Sequence, residues 1–416
     1  MHLIEKLQKH LNGLGLNPSH TISNPVKGVY LATLRDYKTS FTSFGKGVSE
    51  EKALLSAYGE MCERIHTRNY FEEFYINDLY PGIIRGDFLN EKLKVFYRID
   101  MFEKEDLIDF NSDEFEILSI PFFEKSTAKK IYFPINLIQN LYASNGMAFH
   151  YDLQTAYYNA KTEIIERFVK FDVIKYGLPL PKIDHPLNSS GIQIYDATLN
   201  GKYPVMAASF IENEEIILSF GCDLDRETAI QKAYLELWQT ELKERGRFND
   251  NIDEVKNSFN LYRHFVNLSG DVHTNFLKAP YFKEVKWDFE SLDVFDNEEY
   301  IKVYEANPFY AITVIIPGIS EVYPLEDMIY NNINRGKLYY RDPILHFEKY
   351  DKNRIYEITD ELKYSFATEL GALIGVKFET PIFAEDFLKY FKIGQKPAFS
   401  KTYLNILEVA RKLNEI

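Results

Sequence analysis

Ala53-Leu-Leu-Ser-Ala57-Tyr-Gly-Glu60-Met-Cys-Glu63-Arg64 has two counterparts within its own chain. They are Ala156-Tyr-Tyr-Asn-Ala160-Lys-Thr-Glu163-Ile-Ile-Glu166-Arg167 and Ala229-Ile-Gln-Lys-Ala233-Tyr-Leu-Glu236-Leu-Trp-Gln239. All three align without gaps as A-x3-A-x2-E-x2-[E/Q], a spacing that suits one helix face. At about 100° per residue, the second alanine and the first glutamate stay within about 40° of the first alanine, and the second acidic or amide position lies near the edge of that stripe. Small residues mark where a helix approaches its neighbours most closely, so the glutamates are expected to point inward.

Each copy follows a β-type lead-in and a glycine-containing turn. GVYLATL and TSFTSF flank the polar turn at 35–38, and Gly45-Lys46-Gly47 comes next. KIYFPINLIQNLY leads to Ser144-Asn145-Gly146. YPVMAASF and EIILSF flank 212–214 and are followed by Gly221. Aromatic and β-branched content with alternation favours strands. The expected unit is therefore strand–strand–helix, used three times in one pseudo-symmetric α/β (α+β) domain, because the wide spacing excludes a solenoid. Residues 85–130 read as a charged, irregular insertion. A proline-bearing stretch at 170–200 leads into the third unit, and YIKVYEA and YAITVIIPG at 300–340 read as closing strands. The division expected is a domain over 1–340 and a helical C-terminal module over 345–416, with no low-complexity linker. The start, MHLIEKLQKHLNGLGL, reads as an amphipathic helix.

Composition narrows the function. The 416 residues can bury a large core, and 15% aromatic content argues against disorder. With 62 Asp and Glu against 48 Lys and Arg, the net charge is −14, which disfavours direct nucleic-acid binding and fits the gathering of divalent cations. Two cysteines, Cys62 and Cys222, make no disulfide scaffold, and no Cys/His spacing suits zinc. No apolar run is long enough to span a bilayer, and no secretory h-region is evident, so the expectation is a cytoplasmic protein with no membrane partner.

Like charges three apart weaken an isolated helix by a few tenths of a kcal/mol. Buried carboxylates without partners cost far more and must find a cation or a proton. Five carboxylates and one amide at equivalent places on three helices form an oxygen cage suited to Mg2+. A di-iron site would need E-x-x-H pairs, and there are none. Mg2+-bridged phosphate fits better, with the Gly-Lys46-Gly turn able to offer N–H groups and a cation. No P-loop, G-x-S-x-G, GxGxxG or H-E-x-x-H occurs. Cys62 should face away from the cage and Cys222 lie nearer its mouth. His66 and His150 are read as surface or packing residues, and Trp238 as core.

The stretches FGKGVSEEKALLSAYGEMCER, IYFPINLIQNLYASNGMAF with TEIIER, and YPVMAAS with AYLELWQ resemble the YcaO family of ATP-dependent amide-activating enzymes over roughly residues 1–335. ITVIIPGISEVYPLED is similar to its stand-alone bacterial branch. The resemblance implies an ATP and Mg2+ site. Glu60, Glu63, Glu163, Glu166, Glu236 and Gln239 would form the metal shell, with Ser56, Lys46, Arg64, Ser144 and Arg167 about the nucleotide. It implies that a nucleophile adds to a backbone amide and the oxyanion takes the γ-phosphoryl of ATP. The outcome would be heterocyclisation or thioamidation of a peptide or protein, a ribosomal protein among the candidates. A separate partner would deliver substrate or sulfur, and a homodimer is compatible with the resemblance. No residue is nominated as general base.

The sequence departs from the family pattern at several points. Ser144 to Tyr151 ends in His150-Tyr151 where the family carries Gly-Asn, Thr155 stands for a Glu, and Glu241 stands for an Arg. A Gly-Lys-Asp segment of stand-alone members has no counterpart, and the end at Arg411 to Ile416 lacks the proline-rich tail of azoline formers. These departures open a second reading, a non-catalytic accessory protein that binds a partner. Stand-alone members include factors described as accessory to methylthiolation of a small-subunit ribosomal protein.

Overall fold

The computed structural model describes residues 2–239 (apart from 73, 77–79, 81, 87–88, 113 and 213–214), 246–249, 271–273, 286–323 and 399–415, with single positions between 325 and 389. Helix α1 (His2–Gly13) opens the chain, as its amphipathic pattern predicts. Strands β1 (Ser19–Val26), β2 (Val29–Arg35) and β3 (Thr42–Gly47) form an antiparallel sheet in that order, followed by α2 (Glu50–His66). Next come β4 (Ile84–Arg85), α3 (Glu91–Tyr97), α4 (Lys104–Leu107), β5 (Leu118–Glu124), β6 (Lys130–Pro134), α5 (Ile135–Leu141), β7 (Met147–His150) and the long α6 (Leu153–Tyr176).

The third region contributes β8 (Lys182–Ile183), β9 (Ile192–Asp196), β10 (Val205–Glu212), β11 (Glu215–Cys222), α7 (Arg226–Gln239), β12 (Gly246–Asn249) and β13 (Asp271–His273). The strands β14 (Tyr300–Ala306) and β15 (Phe309–Ile315) and the helix α8 (Lys401–Asn414) complete the described elements. One six-stranded sheet runs β13-β12-β11-β10-β9-β8. Another runs β4-β5-β14-β15-β7, with β6 paired to β5.

Two of the three units have the expected form, β2–β3–α2 and β10–β11–α7. The second differs. Residues 135–141, read as strand, form the fully buried helix α5. A helix buried all round carries no amphipathic period, so a short apolar run cannot be told from a strand. Asn136 secures it by donating to the carbonyls of Asp106 (2.8 Å) and Ile108 (3.0 Å). The strand beside β7 is instead β15, antiparallel from Tyr310↔His150 to Thr313↔Met147. The unit therefore recurs in space, but its second copy is assembled from distant parts of the chain. Residues 85–130 are structural as well: β5 lies inside the sheet, with Ile120 and Phe122 buried.

The glycines of the lead-ins also read differently. Gly45, Lys46 and Gly47 are the end of β3 and not a turn, and Gly221 lies in β11. A Cβ on Gly45 would meet the Ala53 carbonyl at 2.1 Å and the Ala57 nitrogen at 2.3 Å; on Gly221 it would meet the Ala229 carbonyl at 2.3 Å and the Ala233 nitrogen at 2.5 Å. Strand and helix backbones touch here, which is what the alanine stripe allows. Ser43 and Ser219 each donate to the matching helix carbonyl, Ala57 (2.8 Å) and Ala233 (2.6 Å).

The main core joins α1, α2 and the sheet of β5 to residues of α8, including Tyr403, Ile406 and Leu413. Most of the 345–416 module lies outside the described residues, and its last helix shares this core. Among the described residues no helix is long and apolar enough to cross a membrane.

Within the main core, His10 and His66 place their Nε2 atoms 2.7 Å apart, against Phe149 and Phe309. Burial depresses both, and for His66 the charges of His10 and Arg68 add to it. The unfolded chain therefore binds protons near pH 6.5 that the folded chain refuses. Stability is full above that pH and falls as the pH drops below it. Melting temperatures of the wild type and His66→Gln between pH 5 and 7.5 should show a shallower acid decline in the variant; parallel curves would refute this.

Candidate functional site

Equivalent caps start the three helices. Ser49 accepts from the Lys52 N–H at 3.3 Å. Asp152 accepts from the Thr155 N–H (2.7 Å) and hydroxyl (2.8 Å), and Asp225 accepts from the Thr228 N–H (2.8 Å) and hydroxyl (2.7 Å). Side-chain acceptors of this kind satisfy the free N–H groups of a first turn. Thr155, which departs from the family pattern, thus has the capping role of Thr228.

The units meet head to tail in a ring. The end of β3 abuts α7, where Lys46 Nζ donates to Gln239 Oε1 (3.0 Å) and pairs with the Glu236 carboxylate. The end of β7 abuts α2, where Phe149 stacks on His66 with centroids 5.8 Å apart. The end of β11 abuts α6, where Tyr158 donates to Asp223 (2.9 Å). This ring brings the two glutamate pairs, and Glu236 with Gln239, to one region.

The carboxylates there are held by protein groups. Glu60 accepts the Phe44 N–H (2.8 Å), an outward-facing amide at the edge of the sheet. Arg64 lies 3.2 Å from Glu63 and 3.9 Å from Glu60, and Arg167 lies 2.7 Å from Glu163. Burial, with Glu163 and Glu60 nearby, pushes the Glu63 carboxyl up to about 7 against the pull of Arg64 and Arg167. Burial also raises Glu166, opposed by Lys46, Lys232 and Lys170. Lys46 is lowered by burial although Glu166, Glu60 and Glu163 favour its charge. Burial together with Arg167 brings Lys170 down to about 7.

The sequence reading missed two of these cations. Lys232 donates to the Cys222 carbonyl (2.9 Å) and to Asp223 (2.8 Å). In the repeat alignment it occupies the place of Ser56, one turn before the glutamate, so the alignment itself contains the signal. Lys170 lies one turn beyond Glu166 on the same helix, an E-x3-K spacing.

Other expected residues are placed as follows. Ser56 is exposed on α2 one turn before Glu60. Ser144 lies in the turn before β7, and no hydrogen bond joins it to the glutamates among the described residues. His150 Nδ1 accepts the Asp152 N–H (3.1 Å), Tyr151 is exposed, and Glu241 lies outside the described residues. Cys62 is buried in the core as expected. Cys222 is buried too, and burial followed by the field of Glu166 holds its thiol protonated. Trp238 packs against Phe210 and Tyr234.

The donor set is oxygen only, which suits a hard cation. As arranged, no three carboxylates among the described residues stand close enough to hold a metal ion. Glu60, Glu63, Glu163, Glu236 and Gln239 are each turned toward an N–H, arginine or lysine, and Glu166 lies in the field of three lysines, so Mg2+ would take these six by exchange with protein cations and N–H groups.

Comparison with known proteins matches residues 44–320 to the family model described as YcaO cyclodehydratase, ATP- and Mg2+-binding. An uncharacterized Haemophilus influenzae protein is 30% identical over 439 aligned positions, covering 90% of this chain and 74% of the relative. The Escherichia coli ribosomal protein S12 methylthiotransferase accessory factor YcaO is 29% identical over 437, with the same coverage. The solved structure of YcaO from Methanopyrus kandleri, bound with AMPPCP and Mg2+, shares 15% identity over 76% of this chain and 90% of that one, with a TM-score of 0.49. The family match spans most of the chain and includes all three glutamate helices: this protein belongs to the YcaO family.

Proposed function

We propose that the ring of helices binds Mg2+-ATP and activates a backbone amide of a peptide or protein. The observation that carries this reading is the convergence of glutamates from α2, α6 and α7 on one partly buried region whose electrostatics hold Glu63 and Glu166 above ordinary carboxylates. Bound Mg2+ would neutralise phosphate charge there, and such positioning and neutralisation supply most of the catalysis in phosphoryl transfer. A nucleophile, either a substrate side chain or external sulfide, adds to the amide carbon. The resulting oxyanion takes the γ-phosphoryl and ADP leaves. Loss of inorganic phosphate then carries the former amide oxygen away.

Within the protein, Glu60, Glu63, Glu163, Glu166, Glu236 and Gln239 hold the metal, and Ser56, Lys46, Arg64, Ser144 and Arg167 face the nucleotide. The substrate would come with a separate partner, in a reducing cytoplasmic setting that suits the two free thiols. Calorimetry with Mg2+ and a non-hydrolysable ATP analogue should show binding, and candidate peptides, with or without sulfide, should release ADP and phosphate. Absence of nucleotide binding defeats the reading.

A second reading draws on the ion pairs that already satisfy the carboxylates, and on the name of the Escherichia coli relative. In it the chain is an accessory protein that keeps the fold and binds a partner enzyme. Nucleotide binding without ADP release in the presence of substrate and partner would favour it.

A further inference from the structure

We infer that Lys46 is the resident cation of the carboxylate cage in the metal-free protein, and that an entering Mg2+ must displace it. The inference rests on the Mg2+-ATP reading. Gly45 and Gly47 turn toward α2, so alternation along β3 sends the Lys46 side chain to the opposite face. There its ammonium reaches Gln239 and Glu236 of α7, within the field of Glu60 of α2 and of Glu163 and Glu166 of α6. Among the described residues it is the one lysine that pairs with a carboxylate of one of these helices and feels those of the other two. The equivalent strand-end positions are Phe149 and Cys222, so only one arm of the ring carries a cation inward.

An ammonium and Mg2+ repel each other and compete for the same oxygens. Metal alone therefore meets a filled cage. Metal with nucleotide does not, because phosphate oxygens give the displaced ammonium a new partner. Lys46 thereby makes the two ligands bind cooperatively, and by linkage each strengthens the other by the same factor.

The test is calorimetric titration of MgCl2 into the nucleotide-free protein, wild type against Lys46→Met and Lys46→Gln, with circular dichroism verifying folding. Both variants should bind metal alone about tenfold more tightly, within the usual range of coupling factors. Their melting temperatures should also rise more on adding MgCl2, because the bare carboxylates lack their lysine. In the wild type the nucleotide analogue should tighten metal binding, and in the variants that enhancement should shrink. If the wild type binds Mg2+ with the analogue while both variants bind metal alone no better than wild type, the displacement is wrong and the nucleotide site stands. If the wild type binds neither metal nor analogue, both fall.

Discussion

Glu63→Gln should abolish the nucleotide-dependent thermal shift, lowering affinity for the Mg2+–analogue pair by about 100-fold or more. Loss of groups that merely support metal ligands already costs about 10- to 100-fold. The substitution keeps shape and hydrogen-bonding capacity while removing one anionic donor. In the metal-free protein its effect runs the other way. Glu63 is buried beside Glu60 and Glu163, so neutralising it relieves repulsion, and Arg64 keeps Glu60 at 3.9 Å. The variant should be as stable as wild type or more so, and still fail to respond to nucleotide. A variant that is shifted as strongly as wild type would sink the assignment of the cage.

The second large effect concerns the strand–helix contacts. Gly45→Ala and Gly221→Ala should each destabilise the fold by about 3 kcal/mol or more, since their Cβ atoms would sit on backbone atoms that cannot rotate away. Gly59→Ala is the control: it lies on α2 with open space around the added carbon and should stabilise by about 0.5–1 kcal/mol. Urea denaturation of the three variants measures all of this. Similar behaviour of Gly45→Ala and Gly59→Ala would show that the two backbones are not packed as described.

The parts of this fold legible in the sequence were those written in local spacing. The A-x3-A-x2-E stripe placed all three helices and the face on which their glutamates lie, because small residues and helical period act on neighbouring turns. The hairpins before α2 and α7 were legible for the same reason. Three things were not. The partner of β7 lies far along the chain, and nothing local marks β15 as belonging to the second unit. Helix α5 carries no amphipathic period because no face of it meets solvent. Two cations near the cage were hidden because Lys170 and Lys232 look like ordinary surface lysines until the ring closes around Glu166. Gly45 and Gly47 were read as a phosphate-cradling turn; the structure gives Gly45 a backbone contact to accommodate, and sends Lys46 between them to Gln239 and Glu236.

The pairing of β7 with β15 also imposes an order on folding during synthesis. A chain emerging from the ribosome exposes β7 and the glutamates of α6 long before residues 309–315 exist to pair with them. Through that interval the second unit presents a bare strand edge. Closing so long a loop comes late and slowly. The second unit is completed only when β15 has been made, so in a nascent chain arrested before residue 309 the strand edge of β7 and the helix behind it should lack their native partner.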